Sequence, residues 1–521
     1  MTVVSENRGE HQFMARSTSK QFVVSVIFSF MAVAVNYIIS LILTPYITEN
    51  IGTEAYGFVS LAKTFANYAS IFTVALNSFS ARYISIEYHK GNLKKAKNYY
   101  NSVFFADLIL SGAIFAVTTI LIVNLDHFLS IPTELIRDVK LLFLLDTLNF
   151  LILSCSTVFL TATTIKNRLE LGSLARTISY VAEAAVLILA FTLLEPRVYF
   201  VGMGLIVSSA VILVINVLIT KKYTPDLKLE KGCFSVEAVK RLLSAGIWNS
   251  INNLGNTLNT GLDLLISNMM LSALAAGQLA IVKTISTIFS TLYQLVANAF
   301  QPVQLKYYAN GDKNALIKSF KTAIKFNGTI SNIAFAGFCI FGSVYYKLWT
   351  PSQDVTVLQM VSIITIIGSV IEGAVCPLYY GYTLTVRNKI PCYITILSGL
   401  LNVAGMYVLI KYFDAGLYAV VLTTTFLTWM VNFVFNPMYV SHCLRIKLTT
   451  FYPTLVRHIA SSAVLLAVFK GISIMYYPSS WLGLIVVALC CALIGTVVHM
   501  VIVLNKDEWC LLKNKLLNGN H

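Results

Sequence analysis

Apolar stretches of near-uniform length follow one another from Phe22 to Leu504, separated by short polar segments. About 20 consecutive apolar residues are enough to cross a bilayer as a helix. The pattern predicts fourteen such helices, starting near Phe22, Tyr56, Phe104, Leu141, Leu174, Val201, Ile247, Leu279, Ile324, Val357, Tyr393, Leu417, Leu455 and Leu482. The first run is too long for a signal-peptide core of about 7–15 residues and has no clear small-residue cleavage site. It is expected to remain as a span. The loops are too short to hold a soluble domain.

One stretch departs from the pattern. "IWNSINNLGNTLNTGLDLLIS", Ile247 to Ser267, carries Asn249, Asn252, Asn253, Asn256 and Asn259, with Thr257, Thr260 and Asp263. Positions 249, 252/253, 256, 259/260 and 263 step by three and four, which places them on one face of a helix. A buried amide without partners costs a few kcal/mol. Helix packing can satisfy one or two amides; a stripe of this length predicts a face lining water.

Composition agrees with a membrane chain: 57% of residues are hydrophobic and 12% charged, against about 25% charged in soluble domains. The net charge of +15 would suit nucleic acid, but its distribution argues against that partner. Loops such as "EYHKGNLKKAKNYY", "TKKYTPDLKLEKG", "VRNK" and "CLRIK" fall on one side with both termini, and that side holds 30 of the 38 Lys and Arg. The positive-inside rule then predicts that both termini are cytoplasmic. The nine cysteines include no CxxC and none in an outer loop, so neither a disulfide frame nor a zinc site is expected.

Shifted by 220 residues, "AYGFVSLAKT" (Ala55–Thr64) aligns without a gap on "AAGQLAIVKT" (Ala275–Thr284), pairing Lys63 with Lys283. The same shift lays spans 3 to 6 on spans 9 to 12. An even number of spans per repeat gives both copies the same orientation, with a substrate site expected at the repeat interface. The predicted fold is therefore an all-α polytopic membrane protein. It has a cytoplasmic tail (1–21), an N-lobe of spans 1–6 (22–220), a cytoplasmic linker (221–245), a C-lobe of spans 7–12 (246–441), an extra helix pair (442–504) and a cytoplasmic tail (505–521). The polar stripe falls, on the same shift, on Ser29, Asn36 and Ser40 of span 1.

Pro45 ending span 1, "IGTEAYG" entering span 2 and "HKGNLKKA" after it, with a weaker echo "ANGDKNAL" after span 8, resemble the opening of Wzx-type polysaccharide-biosynthesis flippases. These belong to the multidrug/oligosaccharidyl-lipid/polysaccharide exporter superfamily. The resemblance implies a two-lobed flippase that moves undecaprenyl-pyrophosphate-linked sugar units across a bacterial cytoplasmic membrane by alternating access. It implies a lipid-linked oligosaccharide and membrane lipids as partners, together with a polysaccharide polymerase and other assembly proteins.

Charges inside spans are costly and usually face a cavity or a partner. Lys63 and Lys283 are expected to attract the pyrophosphate, or else to snorkel to the headgroups. Asp263 is placed to pair with Lys283, while the matching position beside Lys63 is Leu43, so Lys63 is expected to be the available one. Arg82, at the cytoplasmic mouth of span 2, is a second candidate phosphate contact or an interface anchor. The amides Asn36, Asn249, Asn252, Asn253, Asn256 and Asn259, with Thr260, are candidates for sugar contacts. Asp263, Glu183 and Glu372 are candidates for ion coupling, the last beside Pro377, which should kink span 10. Asp107 and Asp146 are further buried acids. His458, Lys470 and His499 have no partner that the sequence names and are read as packing or anchoring residues. No nucleotide motif or catalytic set is visible, so no cofactor and no enzymatic activity are expected, and protons, sodium or the membrane potential remain as energy sources. The competing readings are an ion-coupled multidrug exporter, which would favour carboxylates without deep lysines, and a membrane polysaccharide polymerase or ligase, which would need a large outer loop.

Overall fold

A computed structural model describes residues 31–504 together with Val24, Ile27, Phe28 and Glu508. Fourteen long helices occur among the described residues: α1 Met31–Ile51, α2 Thr53–His89, α3 Leu93–Val123, α4 Thr133–Ile165, α5 Leu169–Leu193, α6 Tyr199–Tyr223, α7 Val236–Thr260, α8 Ala273–Ala309, α9 Lys313–Trp349, α10 Val355–Leu384, α11 Lys389–Phe413, α12 Gly416–Cys443, α13 Tyr452–Met475 and α14 Trp481–Val503. Among the described residues thirteen are long and apolar enough to cross a membrane. The fourteenth, α7, falls short because it carries the asparagines. There is no strand among the described residues, and the chain divides into two compact units, Met1–Gly277 and Gln278–His521.

The 220-residue repeat is written in the backbone. Helices α2 and α8 have the same length and the same offset at both ends, and so do α5 and α11. Gly91 and Gly311, 220 apart, both adopt positive φ (75° and 70°). Each closes the same pair of bonds: Gly91 N–H to Tyr88 O and Asn92 N–H to Glu87 O, then Gly311 N–H to Tyr308 O and Asp312 N–H to Tyr307 O. This is the Schellman ending of a helix, which needs a left-handed residue just past the last turn and so favours glycine. A second such pair occurs at Asn167 and Val386 (φ 52° and 56°), with Arg168 N–H bonded to Thr163 O and Arg387 N–H to Tyr382 O.

Pro377 sits in a 3₁₀ turn, Cys376–Leu378, inside α10, as the sequence pattern predicts. The first unit makes the same turn at Val158–Leu160 without a proline. The break therefore belongs to the repeat, and the proline merely suits it.

In the first unit, α7 lies against α2. Ser250 Oγ donates to Ile71 O at 2.7 Å, and Gly246 sits so close that a Cβ there would lie 1.9 Å from Ala75 O. This small-residue face explains the grouping of α7 with the first unit, although the repeat assigns it to the second half of the chain. In the second unit, α13 and α14 pack on α9 through Ala336, Phe341, Leu465, Phe469, Val487 and Cys491. The two histidines without a named partner in the sequence meet there. Asn332 Nδ2 donates to His458 O at 2.9 Å and lies 3.2 Å from His499 Nδ1. Ser461 Oγ bonds to the same ring nitrogen, and Ser462 Oγ donates to Asn332 Oδ1. His458 Nε2 donates to Val370 O of α10. These histidines are packing residues.

Candidate functional site

Helix α7 presents two unlike faces. Gly246, Ser250 and Thr257 are buried on the side that meets α2. Asn249, Asn252 and Asn256 are exposed, and Asn253 and Asn259 are half-buried. Asn249, Asn252 and Asn256 thus share an exposed strip beside the packed face, and Asn253 borders that face. Asn259 Nδ2 donates to Gly255 O, and Asn253 O accepts from Thr257 Oγ1. Thr260 ends the helix. On α1, Asn36 and Ser40 are half-buried; Ser29 lies outside the described residues.

Asp263 is buried (4% exposed) in the short helix Leu262–Ile266 that follows, with Tyr68 of α2 beside it. Lys63 lies ten residues into α2 and is exposed, about 15 Å from the helix start at 1.5 Å per residue. On the neighbouring span the position facing Lys63 is Leu43, which offers no acid. The expectation of an available Lys63 nevertheless needs correcting: Lys63 acts electrostatically on both Asp146 of α4 and Glu183 of α5. Asp146 is buried at 3% exposure, accepts a bond from Asn149 Nδ2 at 3.3 Å and has one carboxyl oxygen unpartnered. Glu183 accepts a hydrogen bond from Ser208 of α6. Four helices of the first unit thus bring one cation and two acids together. Asp146 and Asn149 were absent from the predicted site, and only their one-turn spacing on a helix hinted at them.

In the second unit, Lys283 is half-buried in α8. The positions that match Asp146 and Glu183 on offsets of 219 or 220 are Thr365 or Ile366 and Asn402 or Val403, all uncharged. Asn402 exchanges hydrogen bonds with Thr424 of α12. Glu372 is half-buried in α10, with Tyr293, Cys376 and Tyr379 around it. The Tyr379 hydroxyl donates to Asn432 Oδ1. Arg82 is exposed on Ser80–His89, the segment of α2 beyond a break at Ser78–Phe79. Among the described residues no group of three or more metal-ligating side chains occurs.

This arrangement of long helices with a 220-residue repeat is shared with solved membrane proteins. Solved structures with it include an inward-facing multidrug resistance MATE family transporter of the MOP superfamily (TM-score 0.67, 15% identity, 81% of this chain and 99% of that one). They also include the lipid II flippase MurJ in an inward closed conformation (TM-score 0.64, 15% identity, 91% and 99%). Residues 22–307 match the family described as polysaccharide biosynthesis protein, and the chain belongs to that family. A relative in Bacillus subtilis (strain 168), the uncharacterized membrane protein EpsK, is 26% identical over 94% of this chain and 96% of its own length.

Proposed function

We propose that the protein is a flippase that carries undecaprenyl-pyrophosphate-linked oligosaccharide from the inner to the outer leaflet of the bacterial cytoplasmic membrane by alternating access. Both of its termini are cytoplasmic in this reading, and the product feeds surface polysaccharide assembly. The carrying observation is the exposed amide face of α7. Asn249, Asn252 and Asn256 are exposed on this helix, and exposed amides suit a watered surface better than hydrocarbon. Carboxamides there suit a ligand rich in hydroxyls. Membership of a polysaccharide biosynthesis family supports this reading over drug export. So does the greater share of the chain matched by the lipid II flippase than by the drug transporter.

Lys63 of the first unit supplies a cation for the pyrophosphate, with Arg82 meeting it at the cytoplasmic mouth, and Lys283 is the matching cation of the second unit. A pyrophosphate that engages Lys63 takes its charge away from Asp146 and Glu183. Asp146 and Glu183 near Lys63 are the candidates for coupling substrate to ion movement, and Glu372 offers a second such group. Depleting the protein in a polysaccharide-producing bacterium should abolish the surface polymer and leave lipid-linked oligosaccharide in the inner leaflet. Unchanged polymer together with altered drug sensitivity would decide for the exporter. In a cysteine-free background, cysteines at Asn252 and Asn256 should react with a membrane-impermeant thiol reagent, and cysteine at Thr257 should not. Equal protection at all three would remove the watered face.

A further inference from the structure

The repeat makes the same corner twice, and the two copies carry opposite charge balances. In the first unit the corner lies where α2, α4 and α6 end. Its cations are answered: the Arg168 guanidinium pairs with Glu170 and lies 5.5 Å over the Tyr223 ring. Lys166 lies over the Tyr88 ring, Tyr88 donates to Asp226, and Lys97 pairs with Glu230 at 3.1 Å.

The second unit keeps the turn and removes the acids. Arg387 occupies the place of Arg168 in the Schellman turn, but two residues further on Glu170 is replaced by Lys389. The segment after α12, "LRIKLTT", brings Arg445 and Lys447 where the segment after α6 brings Asp226 and Glu230. A cavity of about 300 Å³ opens at this corner, lined by Lys313, Arg387 and Arg445 with Tyr308 and Thr385. None of the three cations makes an ion pair among the described residues. The nearest acid in sequence, Asp312, is occupied in capping α9 through Ala315 N–H. Held at the rim, Val386 is 86% exposed on a left-handed backbone.

We propose that this cavity is a binding site for a phosphate group, gripped by Arg387, Arg445 and Lys313. Three cations converging on one concave space repel one another unless an anion joins them, and guanidinium forks match phosphate oxygens. The phosphate comes from a membrane lipid headgroup or from a soluble phosphate, and every residue lining the site belongs to the second unit.

The test uses the full chain, delipidated in neutral detergent. Unfolding temperature and adduct mass are read with phosphatidylglycerol, with phosphatidylcholine and with inorganic pyrophosphate. The wild type should be stabilised by phosphatidylglycerol or by pyrophosphate, and Arg387→Gln/Arg445→Gln should bind about tenfold more weakly or worse, since charge-assisted bonds are lost. Arg387→Lys/Arg445→Lys should keep part of the affinity, which guards against a folding defect, and Lys90→Gln/Lys94→Gln should bind as wild type. Stabilisation by the lipid alone assigns a headgroup; stabilisation by pyrophosphate in lipid-free detergent assigns a soluble phosphate. Absence of any shift, or an equal loss in the Lys90/Lys94 control, overturns the proposal.

Discussion

In the first unit Lys63 and Arg168 have acids around them, whereas the positions that match those acids in the second unit are neutral or basic. Lys63 shares its field with Asp146 and Glu183, while the positions matching those acids around Lys283 are neutral. Arg168 is answered by Glu170, while Arg387 faces a cavity. Yet the turns beneath these residues are the same, bond for bond. The backbone of a duplicated membrane protein is fixed by local signals such as a left-handed residue at a helix end. Charge is set by side chains that nothing in that backbone constrains, and so the two copies are free to diverge in chemistry.

The largest effect should come from breaking the first unit's packing. Gly246→Leu drives a side chain into Ala75 O, a site where even one carbon has no room. Such overpacking costs about 1–3 kcal/mol or more, and folded protein recovered by size-exclusion should fall several-fold. The next effect sharpens the contrast between the lysines. Lys63→Ala leaves two membrane acids without their cation and should abolish surface polysaccharide, with Lys63→Arg retaining part. Adding Asp146→Asn should restore protein level but not transport. Lys283→Ala should also reduce polymer, and normal polymer in that variant would remove Lys283 from the site.

A smaller effect separates the two corners. Arg168→Gln strands the nearly buried Glu170 carboxylate and should lower stability by about 1–3 kcal/mol. Arg387→Gln has no such partner to strand and should leave the ligand-free unfolding temperature unchanged. The smallest effect is one of pH. Lys97 and the Cys233 thiol hold Glu230 below its ordinary carboxylate value of 4.5. A depressed carboxylate contributes stability that is present above that value and lost as pH falls through the lower, folded one. Corrected hydrogen exchange in residues 224–235 should therefore rise below pH 4.5, with no matching rise in 444–451, which carries no acid.

Much of this was legible in the sequence for a definite reason. Span number follows from apolar runs, the repeat from a constant offset, and the amide stripe from steps of three and four, all of them local quantities. The acids facing Lys63 were not legible, because α4 and α5 reach it only through tertiary packing. The same holds for His458 and His499, whose meeting at Asn332 depends on how the last two helices cross α9. The placement of α7 was hidden for another reason. Periodicity picks out the asparagines, but the face that decides its neighbour is an adjacent one, where glycine and serine leave no hydrophobic signal.

That placement bears on how the protein is made. The first compact unit extends to Gly277, and the groove on α2 that receives Gly246 and Ser250 is empty until α7 has been synthesised. A ribosome that has inserted α1 to α6 has delivered six spans without a finished fold. The nascent chain must hold α2 in reserve, with its small-residue seam uncovered, while the whole basic segment 221–245 is translated behind it. Any quality-control factor that reads unfinished helix seams in the bilayer has its longest window on this protein at that point, and a stop codon just after α6 would leave a product that cannot close.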